Sequence, residues 1–249
     1  MNYKNFAVKI IRQAGLELKK EFWHISRAQI RYKSKNQIVT KADLIAEKII
    51  LSAIRKKFPT HEILSEEAGD NKKHSDYLWV VDPLDGTTNF SFKNPVFGTQ
   101  LALVYKGEVI LAVIYVPFLD LMFVAEKGRG ATMNGKKIKV SKQGKLANSF
   151  LAYCHGGTPS DIKRAVELYK NFKIKHTDIR QLGAASVELA WVASGFIDVY
   201  FIYSKSGGDR YEQCNNWPRM EMFKYKLRLE TYNFGEYWLF LHHYCRKKP

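Results

Sequence analysis

Two aspartates three residues apart, Asp82 and Asp85, close the apolar run that opens WVVDPLDGTTNFSF (Trp79 to Phe92), and Gly-Thr-Thr-Asn follows them at once. Pro83 fixes its own φ and biases Asp82 toward an extended conformation, so a strand is expected to end there. Gly86 permits a close turn, and Thr87-Thr88-Asn89 can start a short helix with free N–H groups. Acids beside exposed amides make chemical sense where a cation and an anion bind together. Hard divalent cations such as Mg²⁺ take carboxylate and carbonyl oxygens and are usually shared with a substrate phosphate. Helix-start amides then cradle the phosphate. Glu66, in SEEAG (Ser65 to Gly69), is a natural third carboxylate. Three clustered acids repel one another without a metal, and two metals held by them could activate a water for in-line displacement. Ordinary strand-end acids would account for the Ser-Glu-Glu piece alone. They do not account for two acids, Pro, Gly and paired Thr in one stretch.

These residues need elements to position them. Phe6, Ile10, Ala14 and Leu18 recur at helical spacing, and a second helix is expected over Lys41 to Lys56 with Leu44, Ile45, Ile49, Leu51 and Ile54 apolar. Asp43 falls near its start, where the helix dipole favours a carboxylate. His61 to Leu64 and Tyr77 to Val81 read as short strands. Phe97 to Tyr105, Glu108 to Val116 and Leu121 to Ala125 read as antiparallel strands, and Asn134-Gly135 marks a tight hairpin. Ile162 to Phe172 looks helical. GAASVELAWVASG reads as a helix ended by Gly195, before a strand from Phe196 to Phe201. The pattern is α/β (α+β).

Hydrophobic content of 46% over 249 residues excludes a disordered chain and suits one large or two small domains. Lys and Arg total 40 against 24 Asp and Glu, a net charge of +16 that favours anionic substrates or polyanions. The lysines are scattered with no Arg-aromatic stripe, so a lysine-rich surface explains them without nucleic acid. Cys154, Cys214 and Cys245 show no metal-knuckle spacing, which fits a reduced, cytoplasmic compartment. No run approaches a membrane span.

Trp79 to Phe90 resembles the signature of the inositol monophosphatase family, Mg²⁺-dependent sugar-phosphate phosphatases. The resemblance extends in order through VTKAD (Val39 to Asp43), SEEAG, MNG (Met133 to Gly135) and RQLGAASVELAWVASGFID (Arg180 to Asp198), covering about residues 1–201. It implies a layered αβαβα sandwich, usually dimeric, acting on inositol monophosphate or related polyol and sugar phosphates. By position it assigns Glu66 and Asp82, with the Leu84 carbonyl, to a first Mg²⁺. Asp82 and Asp85 would share a second, and Glu66 would help hold a third. Asp43 and the Thr87 hydroxyl would orient and deprotonate the attacking water. Amides of Gly86 and Thr87 would hold phosphate, and Gly183 and Ala185 match the segment lining the polyol pocket.

The resemblance fails beyond about residue 202. The family's acidic substrate contact falls on Ile202, and its Trp-Asp pair falls on Gly208-Asp209. Asp209 thus keeps the spacing of the second ion's last carboxylate, but Arg210-Tyr211-Glu212-Gln213 replaces small residues that begin a helix. Residues 203–249 are either a diverged segment that still supplies Asp209 or the product of a frame shift near residue 202. The domain expectation is therefore 1–202 for the phosphatase-like part, left incomplete at its C-terminal end, and 203–249 for the rest. Two other activities stand beside the inositol phosphatase reading. One is a nucleotide 3′-phosphatase or fructose-bisphosphatase-like reaction on the same fold. The other is a non-catalytic basic protein contacting RNA or transcription machinery.

Overall fold

The computed structural model describes residues 2–26, 31–34, 37–145, 148–155, 158–174, 178–203, 228–230 and 241–243. The chain divides into two compact units, Met1–Lys137 and Ile138–Pro249. Asp209 and nearly all of the segment expected to diverge lie outside the described residues.

The first unit runs α1 (Tyr3–His24), β1 (Arg31–Ser34), β2 (Gln37–Val39), α2 (Lys41–Lys57), β3 (Glu62–Ser65), β4 (Gly69–Asp70), β5 (Tyr77–Asp85), α3 (Thr87–Ser91), β6 (Gly98–Tyr105), β7 (Glu108–Val116), β8 (Leu121–Glu126), β9 (Gly130–Met133) and β10 (Lys136–Lys137). β1 and β2 form a small hairpin, and the other eight strands make one sheet ordered β10-β9-β8-β7-β6-β5-β3-β4. Its pairings are antiparallel except for β3 beside β5, which is parallel. The antiparallel meander matches the sequence expectation, because Gly107, the turn at Pro117 and the Asn134-Gly135 pair each close a tight connection.

Two helices cover the sheet. α1 buries Ala7, Ile10, Ile11, Ala14, Leu18 and Phe22, which join one apolar cluster with Trp79, Val81, Leu101, Leu103, Val113 and Tyr115. Each such aliphatic or aromatic side chain contributes roughly 1.5–3 kcal/mol when fully buried. The buried stripe of α2 differs from a simple apolar reading. It holds Ala42, Ala46, Ile50, Leu51 and Ile54, but also Asp43 and Glu47, whereas Leu44 is 52% exposed. Two acids occupy positions where an ordinary packing helix carries aliphatic residues.

β5 corrects the expectation that the strand ends at Pro83. Pairing with β6 holds through Asp82↔Gln100 and resumes at Asp85↔Gly98, so three steps on β5 face two on β6. The extra residue is a bulge, which tolerates a proline lacking the ladder N–H and re-aims the side chains around it.

The second unit runs β11 (Phe150–His155), α4 (Pro159–Ile174), β12 (Asp178–Arg180), α5 (Ala185–Ser194) and β13 (Val199–Tyr203), followed by the short strands β14 (Arg228–Glu230) and β15 (Leu241–His243). β11 lies between β12 and β13, parallel to both. Alternating side chains send Leu151, Val199 and Phe201 to α4 residues Leu168 and Phe172, and send Ala152 and Tyr200 to Val192 of α5. Helices therefore cover both faces of this parallel sheet. α5 begins at Ala185, two residues later than the expected start, and ends before Gly195 as expected. β13 begins at Val199 because residues 196–198 form the turn out of α5.

Candidate active site

The bulge on β5 sets the geometry of the acidic edge. Asp82, 2% exposed, is fixed through both oxygens: Oδ2 accepts from the Gln100 side-chain amide at 2.7 Å, and Oδ1 accepts from the Leu84 N–H at 3.2 Å. The second bond curls the chain so that the Leu84 carbonyl accepts from the Thr87 hydroxyl at 3.0 Å. Gly86 makes that reversal with φ 87° and ψ 35°, the left-handed conformation that a side chain disfavours, and serves as N-cap of α3. Asp85 follows the bulge, half-buried.

The parallel register of β3 on β5 brings in the next acid. Ser65 pairs with Val81, and the Glu66 N–H donates to the Val81 carbonyl at 3.2 Å, which places the Glu66 backbone beside the start of the bulge. The Glu66 side chain is exposed. Among the described residues no three His, Cys, Asp or Glu side chains converge on one point that could hold an ion. The acids are thus brought to one sheet edge by backbone register, not gathered in a tight cage. The donors there are carboxylates and a carbonyl, with no thiolate or imidazole, and that chemistry suits a hard divalent cation.

Asp43 approaches from α2. Its Oδ2 accepts from the N–H of Thr40 at 2.7 Å and from the Thr40 hydroxyl at 2.6 Å. Its Oδ1 lies 3.4 Å from the Thr87 hydroxyl. Burial raises the Asp43 pKa to about 6; the Thr40 bonds oppose that rise and the Glu67 carboxylate adds to it. A base with a pKa near working pH is what proton abstraction from water requires.

In the second unit, Gly183 is exposed in the turn before α5, and Ala185 is the helix's first residue. Glu188, fully buried, accepts from the Leu182 N–H at 3.1 Å and so holds that turn against α5.

Sequence reasoning overlooked Gln100, which orients Asp82, and Glu47, whose Oε1 accepts from the Ser65 hydroxyl at 2.5 Å and the Ala68 N–H at 2.9 Å. Both left a trace. Gln100 is a lone polar residue in an apolar strand, and Glu47 stands four residues from Asp43 on the same helix face.

A mixed α+β fold with acids, a carbonyl and a buried carboxylate–hydroxyl pair at neighbouring strand ends suits a phosphatase-type protein. The model of the inositol monophosphatase family matches residues 2–217, and the chain belongs to that family of generally metal-dependent phosphatases. The Nus factor SuhB of Pseudomonas aeruginosa is 34% identical over 214 residues, 82% of this chain and 78% of that protein. A protein of Aquifex aeolicus called fructose-1,6-bisphosphatase/inositol-1-monophosphatase is 36% identical over 188 residues, 74% of this chain and 70% of that one. The crystal structure of extragenic suppressor protein suhB from Bartonella henselae superposes with a TM-score of 0.76 at 32% identity, covering 82% of this chain and 79% of that one.

Proposed function

We propose that the chain is a Mg²⁺-dependent phosphomonoesterase acting on inositol monophosphate or a related polyol or sugar phosphate. The observation that carries this reading is the Thr87 hydroxyl set between the Leu84 carbonyl and a buried Asp43 whose pKa lies near 6. Glu66, Asp82, Asp85, the Leu84 carbonyl and Asp209 are the donors that would hold Mg²⁺. When bound, the ions supply positive charge to the phosphoryl oxygens and lower the pKa of the attacking water. Asp43 takes the water proton, oriented by the Thr87 hydroxyl. The new P–O bond forms in line with the P–O bond that breaks; the leaving polyol oxygen takes a proton from solvent water to become the free alcohol, and Asp43 returns its proton to solvent. Gly86 and Thr87 amides would hold the phosphate, and the family resemblance assigns Gly183 and Ala185 to the polyol. A cytoplasmic homodimer is the form we expect; among the described residues no helix is long and apolar enough to cross a membrane.

The test is phosphate release from inositol 1-phosphate across a Mg²⁺ series, with Asp85→Asn as the blank. Magnesium-dependent turnover lost in the variant supports the reading, and folded protein with no turnover defeats it. Fructose 1,6-bisphosphate and a nucleoside 3′-phosphate belong in the same assay, the first because the Aquifex relative's name includes that activity. The Nus factor name of the Pseudomonas relative and the +16 charge favour a second reading, contact with RNA or transcription machinery. Binding to RNA that weakens steeply with salt and ignores Mg²⁺ site variants would support it.

A further inference from the structure

We propose that Glu47 is a positioning residue that holds the Ser65 side chain before Glu66 and the Ala68 backbone after it, and thereby sets the affinity of the acidic edge for a divalent cation. The inference rests on the phosphatase reading, in which Glu66 is an ion ligand. Glu47 is 7% exposed on the buried face of α2. One of its oxygens, Oε1, accepts from both the Ser65 hydroxyl and the Ala68 N–H, residues that bracket Glu66 and Glu67. Burying a carboxylate is costly unless hydrogen bonds compensate. An aliphatic residue would serve packing better at a position flanked by Ala46, Ile50 and Leu51.

The clamp reaches the turn from α2, adding to the Glu66 N–H bond to the Val81 carbonyl that ties the turn's start to β5. Glu66, Ala68 and Gly69 are exposed, and β4 is only the two residues Gly69–Asp70. A ligand on an exposed side chain loses affinity if its backbone wanders. Asp43 and Glu47 stand one helical turn apart on α2, so a single helix references both the base and the turn bearing Glu66 to the same frame. Outer residues that orient ligands in this manner typically matter 10–100-fold in metal affinity.

Glu47→Ala, Glu47→Gln and wild-type full-length chain are compared by Mn²⁺ binding, followed by electron paramagnetic resonance, and by hydrogen exchange at the Ala68 amide. Glu47→Ala is expected to weaken Mn²⁺ binding by about 10-fold or more and to speed Ala68 exchange. Glu47→Gln, whose amide oxygen still accepts, is expected to restore both. In the activity assay the Glu47→Ala loss should lie in the Mg²⁺ needed for half-maximal rate, more than in the rate at saturating Mg²⁺. Equal Mn²⁺ binding by wild type and Glu47→Ala overturns the inference and leaves the phosphatase reading intact. Glu47→Gln as weak as Glu47→Ala also overturns it, since an acceptor would then not suffice. Wild type that binds no Mn²⁺ overturns both. If Glu47→Ala does not fold, Ser65→Ala deletes one clamp bond alone; a severalfold weaker Mn²⁺ affinity is expected, and an unchanged one overturns the clamp.

Discussion

The Thr87 hydroxyl faces Oδ1 of Asp43 across 3.4 Å, joining the first residue of α3 to the third residue of α2. The same hydroxyl donates to the Leu84 carbonyl at 3.0 Å. The hydroxyl has one proton and two acceptors within reach, the Leu84 carbonyl and Asp43 Oδ1, so it can donate to either. Burial keeps Asp43 a stronger base than a surface aspartate, which is the property the proposed role as base requires.

Asp43→Asn should therefore lower turnover by about 10²–10⁴-fold, the usual effect of removing a general base. For the wild type with Mg²⁺ bound, kcat/KM should fall on the acid side as Asp43 becomes protonated, at a pH below the ion-free value of about 6 because nearby cations favour the carboxylate. Stability should move the opposite way in the ion-free protein. The folded pKa is raised above the ordinary value of 3.8, so the folded state holds this proton more tightly. The group's contribution is fully present below pH 3.8 and is lost as pH rises to about 6. The shift corresponds to on the order of 3 kcal/mol. Denaturant midpoints of wild type and Asp43→Asn from pH 4 to 7 check this: the variant should gain on the wild type as pH rises, and parallel curves would refute the raised pKa.

His61 should give a slope of the other sign. The buried Trp79 indole N–H donates to Nδ1 of His61 at 3.1 Å, and His61 stacks on Phe58 and Tyr77. Burial lowers the His61 pKa from 6.5, so the folded state prefers neutral imidazole. Its stabilisation is complete above pH 6.5 and declines as pH falls below that value. His61→Gln can still accept the indole proton but does not titrate between pH 7 and 5. Wild type should lose more stability than His61→Gln across that interval; equal losses would mean that His61 protonates freely in the fold.

Much of this was legible in the sequence, for identifiable reasons. The meander β6–β8 and the helix ended by Gly195 follow from apolar runs broken by turn residues. WVVDPLDGTTNF disclosed the turn that sets Asp82 and Asp85 beside Thr87, because glycine and paired threonines directly after acids mark a chain reversal and a helix start. Pro83 misled, since proline normally ends a strand, and a bulge that accommodates it depends on pairing with β6 that no local pattern reveals. Leu44 and Glu47 show a related limit. A helix with both apolar and acidic residues at compatible spacing has more than one candidate inner face. The partners Ser65 and Ala68, eighteen and twenty-one residues on, decide which face turns inward.

Gly86→Ala should test the reversal between the bulge and α3. At φ 87° an L-residue costs roughly 1–2 kcal/mol, and the strain falls on the turn that brings the Thr87 hydroxyl to Leu84. Lower thermal stability with a larger fractional loss of turnover is the expected result. Gly86→Asn should be milder, because asparagine tolerates the left-handed region. Full activity in Gly86→Ala would show that the turn conformation is not required.

The frame after residue 202 can be examined in the gene itself. β13 keeps parallel register with β11 as far as His155↔Tyr203, so the family pattern is physically sustained up to that strand's end. The family match continues through residues 204–217, a stretch that includes Asp209 but has Gly208 where the family has tryptophan and Arg210 beside the acid. An arginine adjoining an ion ligand opposes cation binding by like charge, whereas small residues there allow a helix to pack closely. We therefore expect one of the two other reading frames, entered near codon 202, to encode Trp-Asp-x-Ala-Ala-Gly at the Gly208 position. Joining that frame to residues 1–202 should raise Mg²⁺-dependent turnover by about 10²-fold or more, because charge stabilisation is usually the largest catalytic contribution. If neither frame holds the motif, the frame shift is wrong, and Asp209→Asn becomes the decisive variant: loss of turnover would then establish that the diverged segment completes the site with its own aspartate.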